Sequence, residues 1–190
     1  MNLAQMINVV KEITYADDDT LITAWLNEGY LALAEAAKIE ASTTLNLVAG
    51  TDLYSLPADF VSLKGIQIGD KWLEWIDEKD IIDLTGEPSY YYLRQGQIGI
   101  YPKPAENSTA TLFYYKYPAK MVNGTDTPVS QIPERYHYAI VEYALSKAQA
   151  ADRKYDRAAY HERQFLAAKG DLMAQIGYAQ GFRGKVRVVL

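Results

Sequence analysis

The chain has 190 residues, a net charge of −5, 49% hydrophobic and 23% charged residues, and no cysteine. That length suits one domain, with a core able to take about 70% of the unfolded chain's surface out of water. Disulfides and thiolate metal sites are excluded. The acidic balance argues against a fold that grips nucleic acid over its whole surface, and no run of about 18 apolar residues is present to span a membrane.

The opening stretch, MNLAQMINVVKEITYADDD, lacks the basic flank and apolar run of a signal peptide. Instead Leu3, Met6, Ile7 and Val10 recur at helical spacing, so a helix is predicted over 2–14, with Asn2 and Gln5 placed for a capping box. Asp17, Asp18 and Asp19 lack the alternation and closing Glu of a calcium loop. They read as the acidic N-terminal end of a second helix, over 20–40, with Ile22, Trp25, Leu26, Leu33 and Ala37 on one stripe. Gly29 lies under that stripe, where a partner helix can approach closely.

From 42 to 117 the helical period gives way to strands. Strands are predicted at 43–47 and 53–56, then a hairpin of 60–68 with 71–75 through Gly69 and Asp70. A short helix is predicted at 78–84, and a second hairpin of 90–94 with 97–101 across Gln95 and Gly96. The clearest alternation is 109–117, with Thr111, Phe113, Tyr115 and Tyr117 on one face. A Pro/Gly/Asn-rich connector leads to a helix over 133–151, opened by Pro133, with Ile140, Val141, Ala144, Leu145 and Ala148 inward. A last helix, 155–176, carries apolar Tyr155, Ala158, Ala159, Phe165, Leu166, Met173 and Ile176. The predicted fold is α+β: a helical bundle of two N-terminal and two C-terminal helices, an inserted antiparallel β lobe at about 42–117, and an extended C-terminal tail. Residues 1–176 read as one domain. The tail, 177–190, holds Arg183, Lys185 and Arg187 and no acid, so the rest of the chain carries −8.

Chemical motifs are scarce. His137 and His161 belong to no metal-binding spacing and read as surface or interface histidines. No nucleophile elbow, P-loop or dinucleotide fingerprint occurs, and neither a cofactor nor a metal is expected. Asn107-Ser-Thr and Asn123-Gly-Thr match the glycosylation pattern by chance. Trp72, Trp75 and the run Tyr90-Tyr91-Tyr92 offer stacking faces for a sugar or base. Asp83 and Glu87 beside a lone Arg94 make a poor nucleic-acid groove. Sixteen tyrosines suit both interfaces and a half-buried sheet.

An ordered string of phrases carries more weight. Two amphipathic helices, with Trp25 to Tyr30 in the second, precede GTDLYSLPADF, which holds Tyr54, Leu56, Pro57, Asp59 and Phe60. Then come GEPSYYY, with Gly86, Pro88 and Tyr90, and IGIYPKP, with Ile98, Ile100, Tyr101, Pro102 and Pro104. An aromatic strand, LFYYKYP, and IPERYHYAIVEYALSKA complete the series. In this order the chain resembles the head–tail adaptor, or head-completion, proteins of tailed bacteriophages, the short-tailed type above all.

The resemblance implies a structural virion protein in the neck between capsid and tail, assembled in the host cytoplasm and not an enzyme. It implies a homo-oligomeric ring of about twelve below the portal protein. That ring would meet tail or nozzle proteins and continue a channel through which genomic DNA passes without sequence-specific binding. C-terminal segments of the family reach along the portal, which points to Phe182, Arg183, Lys185, Val186, Arg187 and Val188 as the docking arm. Pro57 and Pro102 would end strands and deny edge donors, while Tyr54 and Tyr101 pack the lobe. Competing readings are a tail-tube or stopper subunit, a carbohydrate-binding module built on the exposed Trp and Tyr rings, and an enzyme using Glu74 and Asp77.

Overall fold

The computed structural model describes the backbone of residues 1–183 and the side chains of 1–176. Within it the chain forms two compact units: Met1–Ile39 together with the chain from Pro118 onward, and Glu40–Tyr117. The fold is α+β, with helices at both ends and sheets between them in sequence.

The helical unit contains α1 (Leu3–Thr14), α2 (Asp19–Ala37), α3 (His137–Ala151) and α4 (Tyr155–Arg183). The capping box predicted at Asn2 and Gln5 is present, both bonds at 2.9 Å. Asp18 caps α2, its Oδ1 accepting from the backbone N–H groups of Thr20 and Leu21. The helix ends at Ala37, with Lys38 in the left-handed region, rather than running to residue 40. The chain is extended from Glu40 because that residue, the first of the second unit, pairs with Tyr115 of the same unit. Gly29 admits the close approach expected of it: a Cβ there would lie 2.8 Å from the Cβ of Tyr143 on α3. Ile22, Leu26, Tyr30, Leu33, Ile140 and Leu145 form the centre of a continuous core. Burial of such side chains stabilises by about 1.5–3 kcal/mol each.

The connector 118–132 is fastened by polar groups on the helices. The buried Asn27 makes a two-way bond to Met121, its Nδ2 donating to the carbonyl at 2.9 Å and its Oδ1 accepting from the N–H at 2.8 Å. The Tyr30 hydroxyl accepts from Val129 N–H. In return, the connector carbonyls of Asp126 and Gly124 accept the first N–H groups of α1, from Leu3 and Ala4.

Pro133 precedes a single 3₁₀ turn, Glu134–Tyr136, before α3 begins. All five inward residues predicted on α3 are buried. On α4 the picture differs. Ala158, Phe165 and Leu172 are buried and Ile176 packs against the core, whereas Tyr155, Ala159, Leu166 and Met173 are exposed. The helix also runs seven residues beyond the predicted end at 176, through Gly177 and Gly181, without a stop signal strong enough to end it.

The second unit is built from β1 (Glu40–Leu47), β2 (Leu53–Ser55), β3 (Phe60–Ile68), β4 (Lys71–Trp72) and β5 (Glu74–Trp75). It continues with β6 (Thr85–Gly86), β7 (Tyr90–Arg94), β8 (Gln97–Tyr101), β9 (Lys103–Pro104) and β10 (Ser108–Lys116). Two four-stranded sheets, ordered β1-β10-β3-β4 and β2-β8-β7-β5, share a core of Leu47, Ile66, Leu73, Ile98, Ile100, Ala110 and Leu112. Their pairings are antiparallel except β5 with β7; β6 and β9 form a separate parallel pair.

Both predicted hairpins form, through left-handed Gly69 and Gly96. The strand predicted at 71–75 is broken, however. Leu73 turns into the core, and Glu74 and Trp75 cross to the second sheet. The helix predicted at 78–84 is only a 3₁₀ turn, Glu78–Asp80. One turn carries the full nucleation cost of a helix, and the chain beyond it is drawn into pairing, Leu84 accepting from Lys103 N–H. On β10 the alternation holds, but the core face is Ala110, Leu112 and Tyr114; Thr111, Phe113 and Tyr115 lie half-buried on the other.

Candidate functional site

The phrases that ordered the sequence converge on the turns and strand ends of the β unit. Tyr54, on β2, is buried, and its hydroxyl donates to Thr51 carbonyl at 2.8 Å while accepting from Val48 N–H at 3.1 Å. One side chain thereby ties both ends of the turn between β1 and β2, alongside the Thr51 N–H to Val48 carbonyl bond and Asn107 Oδ1, which accepts Ala49 N–H. Burial raises its pKa above the usual phenol range.

The LPADF phrase clamps the end of β10. Phe60 N–H donates to Pro57 carbonyl, forming a turn that presents Asp59. Asp59 then accepts the Tyr114 hydroxyl at 3.0 Å through its side chain and Tyr117 N–H through its carbonyl. The Phe60 ring stacks on Tyr114 with centroids 5.9 Å apart, while Leu56 joins the core from its edge. Burial is the main reason the Tyr114 pKa is raised.

GEPSY and IYPKP meet each other. Gly86 pairs with Pro104, and Pro104 carbonyl also accepts Gly50 N–H at 2.8 Å. Pro102 packs beside Gly86, and Pro88 is half-buried just before β7. Tyr101 carbonyl accepts Ser89 N–H, and the rings of Tyr90 and Tyr101 lie 6.4 Å apart. Three separated phrases thus lock one set of loops.

The titratable residues are likewise engaged in structure. Of the two positions expected, surface or interface, His137 does not occupy the surface but is buried: its Nε2 lies 3.3 Å from Ile132 carbonyl and its Nδ1 3.0 Å from the Met1 ammonium. Burial, and then the ammonium, push its pKa below the ordinary histidine value. His161 is sheltered between α3 and α4, 2.7 Å from Glu142. Helical spacing hid both roles, because Met1 and Glu142 come from other helices or chain ends than the histidines they meet. Asn27 was missed for the same reason, although a polar residue inside an apolar stripe was its signal.

Of the residues proposed for other chemistries, Asp77 caps a 3₁₀ turn and pairs with Lys79 at 3.0 Å, which holds its carboxyl below the usual range. Trp72 packs over Gly65 and lies 5.1 Å from Phe113, so part of its ring is covered. Trp75 sits on a strand of the other sheet and is 62% exposed. The two rings therefore belong to different sheets rather than to one row. Among the described residues no group of three or more His, Asp or Glu is placed to hold a metal ion. No helix among them is long and apolar enough to cross a membrane.

In the predicted docking arm, Phe182 and Arg183 fall within the last turn of α4. Lys185, Val186, Arg187 and Val188 lie outside the described residues.

The polar groups of the motifs are spent on fastening turns and strand ends, which is the chemistry of a scaffold. The family of SU10 adaptor proteins matches residues 1–188, and the chain belongs to it, as a bacteriophage head–tail adaptor and structural component of the virion. A search of curated proteins finds no match to the chain.

Proposed function

We propose that the protein assembles into a ring of about twelve copies below the portal, joining it to the tail proteins and continuing the DNA channel in the virion neck. The observation that carries this reading is the family match over 188 residues, on a chain whose motif side chains serve architecture. The acidic net charge of −5 suits a channel that must pass DNA without holding it, since like charge lowers affinity for phosphates. Residues 1–176 act as the adaptor body, both units included. Residues 177–190 act as the docking arm, with Arg183, Lys185 and Arg187 meeting acids on the portal and Phe182, Val186 and Val188 supplying apolar contact.

Co-sedimentation with the cognate portal ring tests this, using the full chain and a chain ending at Arg183, which leaves α4 whole. Stoichiometric capture of the full chain with at least a tenfold loss on truncation is expected, about what losing two ionic contacts of roughly 1 kcal/mol each allows. Capture unchanged by truncation would move docking to the folded body. No capture of either form would overturn the portal reading in favour of a later tail component.

A further inference from the structure

Helix α4 carries more apolar surface than its own unit covers. Its buried residues, Ala158, Phe165 and Leu172, define one stripe against the rest of the bundle. Tyr155, Leu166 and Met173 define another, about 100° round the axis, with exposures of 67%, 55% and 55%. Exposed Ala159 lies on that second stripe as well. A third flank, about 120° further round, is of different character: Tyr160 followed by the small Ala167 and Ala174, all exposed. One flank is a row of knobs and the other a shallow row with one aromatic at its end.

The charges beside these flanks are complementary in order. Along the knob flank stand Glu162 and then Lys169; along the shallow flank stand Arg163 and then Asp171, whose Oδ2 also accepts the Tyr136 hydroxyl of its own unit at 2.5 Å. Two α4 helices lying side by side and parallel bring Glu162 of one level with Arg163 of the next, and Lys169 level with Asp171. The offsets are only about 1.5 and 3 Å along the axis. Like-to-like pairing of the knob flank in parallel helices would set Glu162 beside Glu162 and Lys169 beside Lys169, and would leave the shallow flank bare.

We infer that the knob flank of α4 (Tyr155, Leu166, Met173) packs onto the shallow flank (Tyr160, Ala167, Ala174) of α4 in a second copy of this chain, forming the head-to-tail contact between neighbours. The inference rests on the ring reading above and specifies its interface. Two different faces that fit each other make a heterologous contact, which closes into a ring when the rotation allows, whereas one self-matching face would stop at a dimer. The alanines let the neighbouring backbone approach, and Leu166 and Met173 fill the space above them.

The absence of cysteine makes a direct test available. Full-length Leu166→Cys and Ala167→Cys chains are assembled with the portal, separately and as an equal mixture, then oxidised, with native mass spectrometry of each assembly. Disulfide-linked pairs at least tenfold more abundant in the mixture than in either chain alone are expected. Comparable cross-linking of Leu166→Cys alone would mean a self-matching contact and overturn the inference. So would an intact ring without cross-links, which leaves the ring reading standing. Failure of the unsubstituted chain to form any ring, with or without portal, would sink both. As an independent check, Glu162→Arg is expected to raise the concentration needed for half assembly, and adding Arg163→Glu to restore it, helicity remaining unchanged throughout. Loss without restoration would count against the pairing.

Discussion

The two units solve the same problem of stability with different materials. The helical unit relies on aliphatic stripes repeated at helical spacing, and two of its buried polar residues, Asn27 and His137, tie down the connector and the chain's first residue. The β unit relies on named side chains at unrepeated positions: Tyr54 inside a turn, Asp59 under Tyr114, Gly86 against Pro104. A stripe tolerates exchange of one apolar residue for another of similar volume. A turn fastened by a particular hydroxyl does not, because removal of that group leaves part-buried backbone groups without that partner. Three of the phrases that carried the family resemblance, GTDLYSLPADF, GEPSYYY and IGIYPKP, belong to the β unit, while Trp25 to Tyr30 and IPERYHYAIVEYALSKA come from the helical unit.

The largest test of this contrast is Gly99→Ala. A Cβ at Gly99, on β8, would lie 2.1 Å from the ring of Tyr92, which is buried and whose hydroxyl is 3.3 Å from Asp52. The buried ring has to shift to make room, and the substitution is expected to destabilise the β unit by about 3 kcal/mol. Hydrogen exchange should accelerate across 40–117 more than in the helices; equal acceleration throughout would show that the two units open as one.

A smaller effect is expected from Tyr54→Phe. It keeps the ring in the core and removes only the hydroxyl that serves Thr51 and Val48, at a cost of about 1–3 kcal/mol. Denaturant unfolding measures it. An unchanged midpoint would show that the turn is held by other contacts and that the contrast between the units is overstated.

The smallest effect concerns the helical unit and pH. His137 has its pKa lowered in the folded protein, so the unfolded chain binds the proton more readily. Its contribution to stability is therefore complete above the ordinary histidine value of about 6.5 and declines as pH falls below it. Burial is the main cause and the Met1 ammonium adds to it, while the Ile132 carbonyl and Glu134 oppose it. Thermal unfolding of His137→Gln between pH 5 and 7 should show a flatter pH dependence than the unsubstituted chain. Identical slopes would remove His137 as the source.

Much of this protein was legible in its sequence because local rules govern the features concerned. Periodicity located four helices, alternation with Gly turns located both hairpins, and Asn2 and Asp18 marked helix starts by hydrogen bonds to residues two or three positions away. The adaptor family was legible too, since the order of turn phrases survives in the linear chain. What the sequence did not determine depends on partners far along it. Whether 71–75 stays one strand was decided by the second sheet, which takes Glu74 and Trp75 once Leu73 is buried. Whether a histidine is exposed was decided by what packs on it, Met1 beside His137 and Glu142 beside His161. Helical spacing identified the apolar residues of α4, but several stripes compete on one long helix. Only packing in the tertiary structure chose Phe165 and Leu172 for the core and left Leu166 and Met173 facing outward.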